Sequence, residues 1–231
     1  MNSTADTCLT VIVLTFNEEH HLPGCLESIR PLSDEVVVFD SGSVDRTCVI
    51  AEGHGARVIV RPFDGYAAQR TAALDAADTP WVLFLDADER LTRDGVVELR
   101  SFLADVDRSV VAARLPRRNI FFGRELRGGG WWPDEQTRLL RRGRVRYDDC
   151  RQVHEVVVAD GKVVSMSEPL VHLNYDTWRE FFVKQRTYTH LNARQVIVRG
   201  SIPRRRASLS MPVRVFFGRY VTLRGYRDGF T

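Results

Sequence analysis

Four short apolar runs, each followed by a helical pattern, occupy the first hundred residues and commit the chain to a parallel α/β sheet. Leu9 to Thr15 is β-branched and reads as a strand. Leu22, Cys25, Leu26 and Ile29 then recur at helical spacing. Glu35 to Asp40 is a second strand, followed by a short helix with Asp45 as its N-cap and Gly53 and Gly55 at its close. Arg57 to Arg61 is a third strand and Tyr66 to Ala77 an alanine-rich helix. Trp81 to Leu85 is a fourth strand and Arg93 to Leu103 again helical. Parallel neighbours need crossover helices, so this alternation predicts a mostly parallel, Rossmann-like, doubly wound sheet flanked by helices. Ligands of such sheets gather at the carboxyl ends of the strands.

The second half is mixed. Val110 to Leu115 predicts a strand, and Gly128 to Pro133 a loop bearing glycine and tryptophan. Thr137 to Tyr147 predicts a hairpin turning near Gly143, and Glu155 to Val164 a second one turning at Asp160-Gly161. Thr177 and Glu180 stand at capping-box spacing and open a long helix that runs to about Arg199, ahead of Gly200 and Pro203. The expected organisation is one domain over residues 1–200, divided near residue 105, and a C-terminal segment over residues 201–231.

A chain of 231 residues holds one large α/β domain. With 44% hydrophobic and 27% charged residues it is ordinary globular material, which excludes a disordered chain. Charge is uneven along it. From Arg199 onward there are eight arginines against one acid, Asp228, although the whole chain carries only +3. A basic tail on a mildly acidic body implies an anionic partner for the tail. Met211 to Tyr226 places Val213, Phe216, Phe217, Tyr220 and Leu223 near helical spacing, among Arg214, Arg219 and Arg224. Such a stretch suits the headgroup plane of an anionic bilayer; a packing helix or a site for nucleic-acid phosphates are the alternatives. Cys8, Cys25, Cys48 and Cys150 have no C-x-x-C spacing, which argues against a zinc knuckle. No signal peptide and no membrane-length apolar run is visible, so the cytoplasm is the expected compartment.

Three motifs fall at the strand ends. Phe84-Leu85-Asp86-Ala87-Asp88-Glu89 closes the fourth strand. Residues two apart in an extended chain point the same way, so Asp86 and Asp88 share a side. Two carboxylates there need a cation between them, and Mg²⁺ or Mn²⁺, which also takes phosphate oxygens, is the natural one. Asp40-Ser41-Gly42-Ser43-Val44-Asp45-Arg46-Thr47 follows the second strand. Its Asp can accept from a base N–H while backbone amides face phosphate, or it is an ordinary strand–turn–helix junction. Thr15-Phe16-Asn17-Glu18-Glu19 ends the first strand with polar groups on the same edge.

In this order the three motifs make the chain resemble family 2 glycosyltransferases of the GT-A fold, and most of all the branch with lipopolysaccharide-core β-glucosyltransferases. Trp132-Pro133-Asp134, Gln136 to Arg142 and Val153-His154-Glu155 extend the likeness. The resemblance implies a nucleotide-binding half over residues 1–105 and an acceptor and catalytic half over residues 106–200. Thr15, Asn17 and Glu18 would line the nucleotide pocket, with Asp40 and Ser41 at the base, which the likeness makes uracil. Asp88 would be the principal metal ligand, and Asp86 would meet ribose or metal-bound water. Glu155 would be the base for an inverting transfer, with Asp134 second. Arg138 would hold an acceptor phosphate or the donor diphosphate, or be solvated in its hairpin. His172 would be a third metal ligand, a diphosphate contact or a structural histidine. Trp131 and Trp132 would stack on a sugar face or anchor their loop.

The implied reaction moves a sugar, glucose first, from a UDP-sugar to a glycan or glycolipid hydroxyl such as that of lipopolysaccharide core. It would take place on the inner face of the cytoplasmic membrane, with no nucleic-acid partner. A sugar nucleotidyltransferase is the rival enzyme, but Asn-Glu-Glu stands where it would carry a glycine-rich basic loop. A sugar-nucleotide binder without transfer activity is the non-enzymatic alternative. No G-x-G-x-x-G follows the first strand, which argues against a dehydrogenase.

Overall fold

The computed structural model describes residues 9–33, 35–147, 157–198 and 205–229. Its elements in chain order begin with β1 (Leu9–Thr15), α1 (Leu22–Ile29), β2 (Val36–Asp40), α2 (Thr47–Gly53) and β3 (Arg57–Val60). Next come α3 (Tyr66–Asp75), β4 (Trp81–Asp86), β5 (Glu89–Leu91), α4 (Arg93–Ala104), β6 (Val110–Phe121) and β7 (Arg124–Leu126). The chain continues with β8 (Asp134–Arg141), β9 (Val145–Tyr147), β10 (Val157–Ala159), β11 (Lys162–Ser165) and β12 (Leu170–Tyr175). It ends in α5 (Trp178–Val198), α6 (Arg205–Phe216), a π-helical turn (Phe217–Thr222) and a 3-10 turn (Gly225–Asp228). Two compact units result: Met1–Pro116 with Glu135–Val171, and Arg117–Asp134 with His172–Thr231.

In the first unit the predicted parallel sheet is present. β1 lies between β2 and β4, parallel to both, and β3 flanks β2. Side chains alternate faces with period two. Leu9, Val11 and Val13 of β1 pack with Leu83 and Leu85 of β4 and with Leu22, Cys25, Leu26 and Ile29 of α1. Ile12, Val37, Phe39, Val82 and Phe84 face the other way, onto Ala67, Ala73 and Leu74 of α3. Both faces are covered, which is why these strands read as nearly continuous apolar runs. The register sets Thr15 opposite Asp40 and Leu14 opposite Asp86, so three motif-bearing strands end together.

Both predicted hairpins are corrected. The turn near Gly143 exists, but β8 leaves it to pair antiparallel with β4, and β9 pairs with β10. Leu139 and Leu140 explain this, since both are fully buried only when β8 joins the main sheet. After Asp160-Gly161 the chain crosses from β10 to run as β11, parallel to β6. Gly161 permits the crossing: a Cβ there would lie 2.6 Å from Val111 Cγ1 and 2.8 Å from the Ser109 carbonyl oxygen. Asp45 also sits one residue earlier than a formal N-cap. Arg46 flanks α2, while the Asp45 carboxylate accepts from Thr47 N at 3.0 Å.

In the second unit the long helix starts as the sequence predicts. Thr177 Oγ1 accepts from Glu180 N at 3.2 Å, and Glu180 reaches back to Asp176 N at 3.0 Å. His172 lies inside β12. Phe121, Phe122, Tyr175, Trp178 and Phe181 form a cluster of ring contacts at the root of this helix. The C-terminal helix departs from a one-sided pattern. Among its described residues Met211, Val213 and Phe216 are each more than half exposed, as is Phe217 just beyond it.

Candidate active site

The loops after β1 and β2 are hydrogen-bonded into one structure. Asp40, with no solvent exposure, accepts four times: from Thr15 Oγ1 at 2.8 Å, Gly42 N at 2.9 Å, Ser43 N at 2.7 Å and Ser43 Oγ at 2.5 Å. Burial alone would raise its pKa; the bonds from Ser43, Thr15 and Gly42 prevail and hold it below the usual carboxylate range. Asn17 adopts a left-handed conformation (φ 56°), which its short amide tolerates. Its N–H donates to Ser43 Oγ at 2.7 Å and its Oδ1 accepts from Val44 N at 2.9 Å. Glu18 N donates to Thr47 Oγ1, Glu19 N to Asp45 Oδ2, and Arg46 N to Glu19 Oε2. T-F-N-E-E and D-S-G-S-x-D-x-T are therefore two halves of a single frame.

This frame gives Asp40 a structural task. Both its oxygens are spent on the turn, which leaves Ser41 as the partly exposed group at that strand end. Gln69, only 3% exposed, donates to Ser41 Oγ at 3.2 Å and accepts from Arg61 Nη1 at 2.7 Å. Gln69 and Arg61 went unnoticed in the sequence because nothing local marks them.

At the end of β4 the acids are joined by arginines. Arg138 Nη2 lies 2.5 Å from Asp86 Oδ2 and 2.5 Å from Glu89 Oε1, and Arg70 Nη2 lies 3.1 Å from Asp86 Oδ1. Glu89 is fully buried and its other oxygen accepts from Asp86 N at 3.0 Å. Burial opposes the Arg138 charge, but the Asp86 and Glu89 carboxylates outweigh it and raise the guanidinium pKa above its ordinary value. Arg138 is only 4% exposed, so it is not solvated in a hairpin: its guanidinium is turned inward onto carboxylates. Between Asp86 and Glu89 the cation is an arginine. Asp88, half-buried past the strand end, is the carboxylate whose chemistry suits a hard divalent ion.

Within the second unit, Asp134, Asn119 and His172 form a line. Asp134 Oδ2 accepts from Arg117 Nε at 2.8 Å, Arg117 Nη2 at 2.7 Å and Asn119 Nδ2 at 3.0 Å. Asn119 Oδ1 stands 2.6 Å from His172 Nδ1, with Asn119 fully buried and His172 8% exposed. Trp131 anchors its loop, with its ring 4.8 Å from that of Phe121 and under the Arg219 guanidinium at 5.5 Å, whereas Trp132 is 40% exposed. Asp228 closes the same loop from the C-terminal segment by accepting from Arg127 N and Gly128 N. Glu155 and His154 lie outside the described residues.

Comparison with known proteins gives a consistent answer. Residues 10–161 match the model of the family described as Glycosyl transferase family 2. LpsC of Rhizobium meliloti (strain 1021), a lipopolysaccharide core biosynthesis glycosyltransferase, is 33% identical over 207 residues, covering 85% of this chain and 74% of LpsC. An uncharacterized glycosyltransferase of Rickettsia bellii (strain RML369-C) is 26% identical over 204 residues, covering 84% and 69%. The solved structure of S. aureus TarS 1-349 superposes with a TM-score of 0.51 at 17% identity, over 71% of this chain and 60% of that one. This last likeness speaks to the fold, and the chain spans about three fifths of the TarS structure.

Proposed function

The chain belongs to glycosyl transferase family 2, and on that premise we propose that it is an inverting, metal-dependent hexosyltransferase that uses a UDP-sugar, glucose first. The acceptor would be a hydroxyl of a glycan or glycolipid such as lipopolysaccharide core, a class supported by the name of the R. meliloti relative. The observation that carries the reading is the convergence of the β1–β2 loop frame and the Asp86–Glu89–Arg138 cluster at one sheet edge.

Thr15, Asn17 and Glu18 frame the nucleotide, and Ser41 meets the base. Asp40 shapes that pocket by holding the Ser41-Gly42-Ser43 turn. Asp86, already neutralised by two guanidiniums, suits a ribose hydroxyl better than a second cation. Asp88 is the principal ligand for Mg²⁺ or Mn²⁺. When bound, the ion would offset the charge of the departing diphosphate. Glu155 takes the acceptor proton; Asp134 suits this less, with one oxygen given to Arg117 and Asn119. Trp132, exposed beside a glycine-rich loop, stacks on a sugar face. Among the described residues no helix is long and apolar enough to cross a membrane. The exposed arginines and apolar side chains of residues 211–227 support docking on the anionic inner face of the cytoplasmic membrane.

Titration calorimetry with UDP tests the core of this reading. Binding should strengthen with Mn²⁺ and lose that dependence in Asp88→Ala. Equal affinity for UDP in Mn²⁺ and in chelator would overturn it.

A further inference from the structure

The turn that carries Asp88, between β4 and β5, is gripped by the arginine that follows it. Arg90 Nη1 donates to the carbonyl oxygens of Ala87 at 2.7 Å and Glu89 at 2.9 Å. Asp88 is therefore bracketed: the carbonyls before and after it both end on one planar guanidinium, whose forked donors fix them together. Arg90 Nη2 donates to the His21 carbonyl at 2.6 Å, across 69 positions of sequence, at the residue that flanks the N-terminus of α1. His21 N and Leu22 N in turn donate to Glu18 O at 3.1 and 2.9 Å, so this carbonyl adjoins the β1 loop. One side chain thus spans from the Asp88 turn to the β1–β2 frame.

Gly24 marks the path of that side chain. It lies inside α1, where no positive φ calls for glycine and alanine is the better helix former. A Cβ there would stand 2.8 Å from Arg90 Nε and 3.0 Å from Nη2. The helix forgoes propensity at this position, and the guanidinium occupies the room.

We propose that Arg90 is a positioning residue that fixes the backbone of Asp88 and couples the metal site to the nucleotide frame. The proposal rests on the reading of Asp88 as the ligand for Mg²⁺ or Mn²⁺. A carboxylate on an anchored turn loses little freedom when it takes an ion, whereas one on a loose turn must first be ordered. Loss of a group that orients a metal ligand costs about 10–100-fold in metal affinity. Because the same guanidinium holds the His21 carbonyl, order in the turn favours order in the frame. Ion and nucleotide then tighten each other by one shared factor.

The test combines calorimetry of the full chain with UDP, in chelator and in saturating Mn²⁺, with Mn²⁺ affinity by electron paramagnetic resonance in saturating UDP. Arg90→Met should lower that Mn²⁺ affinity about 10–100-fold and shrink the factor by which Mn²⁺ tightens UDP. Gly24→Ala keeps the arginine and displaces its guanidinium, so it should shift both quantities the same way by a smaller factor, and it carries the test if Arg90→Met does not fold. Arg90→Lys, without the planar fork, should fall between wild type and Arg90→Met. An arginine with a merely structural role would weaken UDP equally in chelator and in Mn²⁺. That outcome, or wild-type Mn²⁺ affinity in a folded Arg90→Met protein, overturns the proposal. Amide hydrogen exchange without metal or nucleotide gives a separate readout at Asp86 and Leu91, whose N–H groups donate to Glu89 Oε2 and Ser28 Oγ on either side of the turn. Exchange there should quicken in Arg90→Met and in Gly24→Ala, and wild-type protection in both overturns the clamp. Asp88→Ala separates the two ideas: unaltered Mn²⁺ affinity there refutes the ligand reading, while exchange at Asp86 and Leu91 alone judges whether Arg90 fixes the turn.

Discussion

Arg138 is seated against Glu89, Nη2 to Oε1 at 2.5 Å, with the glutamate side chain wholly buried and that of the arginine 5% exposed. The same nitrogen reaches Asp86, so one guanidinium holds the strand-end acid in place from beneath. Two carboxylates this close to one another are tolerable only because that cation lies between them.

Arg138→Met should therefore destabilise the protein by about 3–5 kcal/mol, the cost of leaving a buried charge without its partner. Adding Glu89→Gln should recover part of the loss, since the stranded charge goes with it. Urea unfolding midpoints measure both. A single variant with the wild-type midpoint would show that the cluster contributes nothing to stability.

Asp40→Asn should cost about 1–3 kcal/mol, because an amide cannot accept all four bonds that the carboxylate takes. The effect has a defined pH sign. The folded pKa lies below the unfolded value, so the stabilisation is complete above roughly pH 4 and disappears as pH falls through the folded pKa. Urea midpoints of wild type and variant should converge on acidification. A gap that stays constant from neutral pH to below pH 3 contradicts this account of Asp40.

The parallel half was legible because burial on two faces writes itself as uninterrupted β-branched runs, from Leu9 to Thr15 and from Trp81 to Leu85. The strands of the second half are shorter, and their partners are chosen by tertiary burial. Nothing near Gly143 or Gly161 in sequence announces that β8 turns to β4 and β11 to β6. The site divides the same way. Asp86 and Asp88 are visible as a spaced pair, but the arginines that neutralise Asp86 come from 16 and 52 residues away. Asn119 follows two arginines in a strand, and only its fully buried amide between Asp134 and His172 reveals its use.

Glu155→Gln should preserve UDP affinity while reducing transfer by about 10²–10⁴-fold, since a general base supplies a factor of that size. Calorimetry and a turnover assay with a lipopolysaccharide-core acceptor separate the two effects. Transfer at the wild-type rate would remove Glu155 from the reaction.

Reversal of charge at Arg214 and Arg227, both exposed, should lower cosedimentation with anionic vesicles about tenfold or more and leave UDP binding unchanged. Rising salt should weaken the wild-type association in the same direction. Vesicle binding that is indifferent to both changes would exclude an electrostatic attachment through this segment.

Asp228 accepts from Arg127 N at 3.1 Å and Gly128 N at 2.8 Å, and Leu223 O accepts from Gly129 N at 2.9 Å. Gly128 lies so close to the returning chain that a Cβ would stand 2.6 Å from Arg224 O. The loop that carries Trp131 and Trp132 is therefore built partly from the C-terminal residues, and its order depends on them. Asp228→Ala should speed amide hydrogen exchange at Arg127 and Gly128, while amides of the β1–β2 frame keep wild-type protection. Gly128→Ala should do the same by forcing the backbones apart. If exchange at Arg127 and Gly128 is unaltered in both variants, the C-terminal segment does not hold the loop, and Trp132 must owe its placement to residues 117–126 alone.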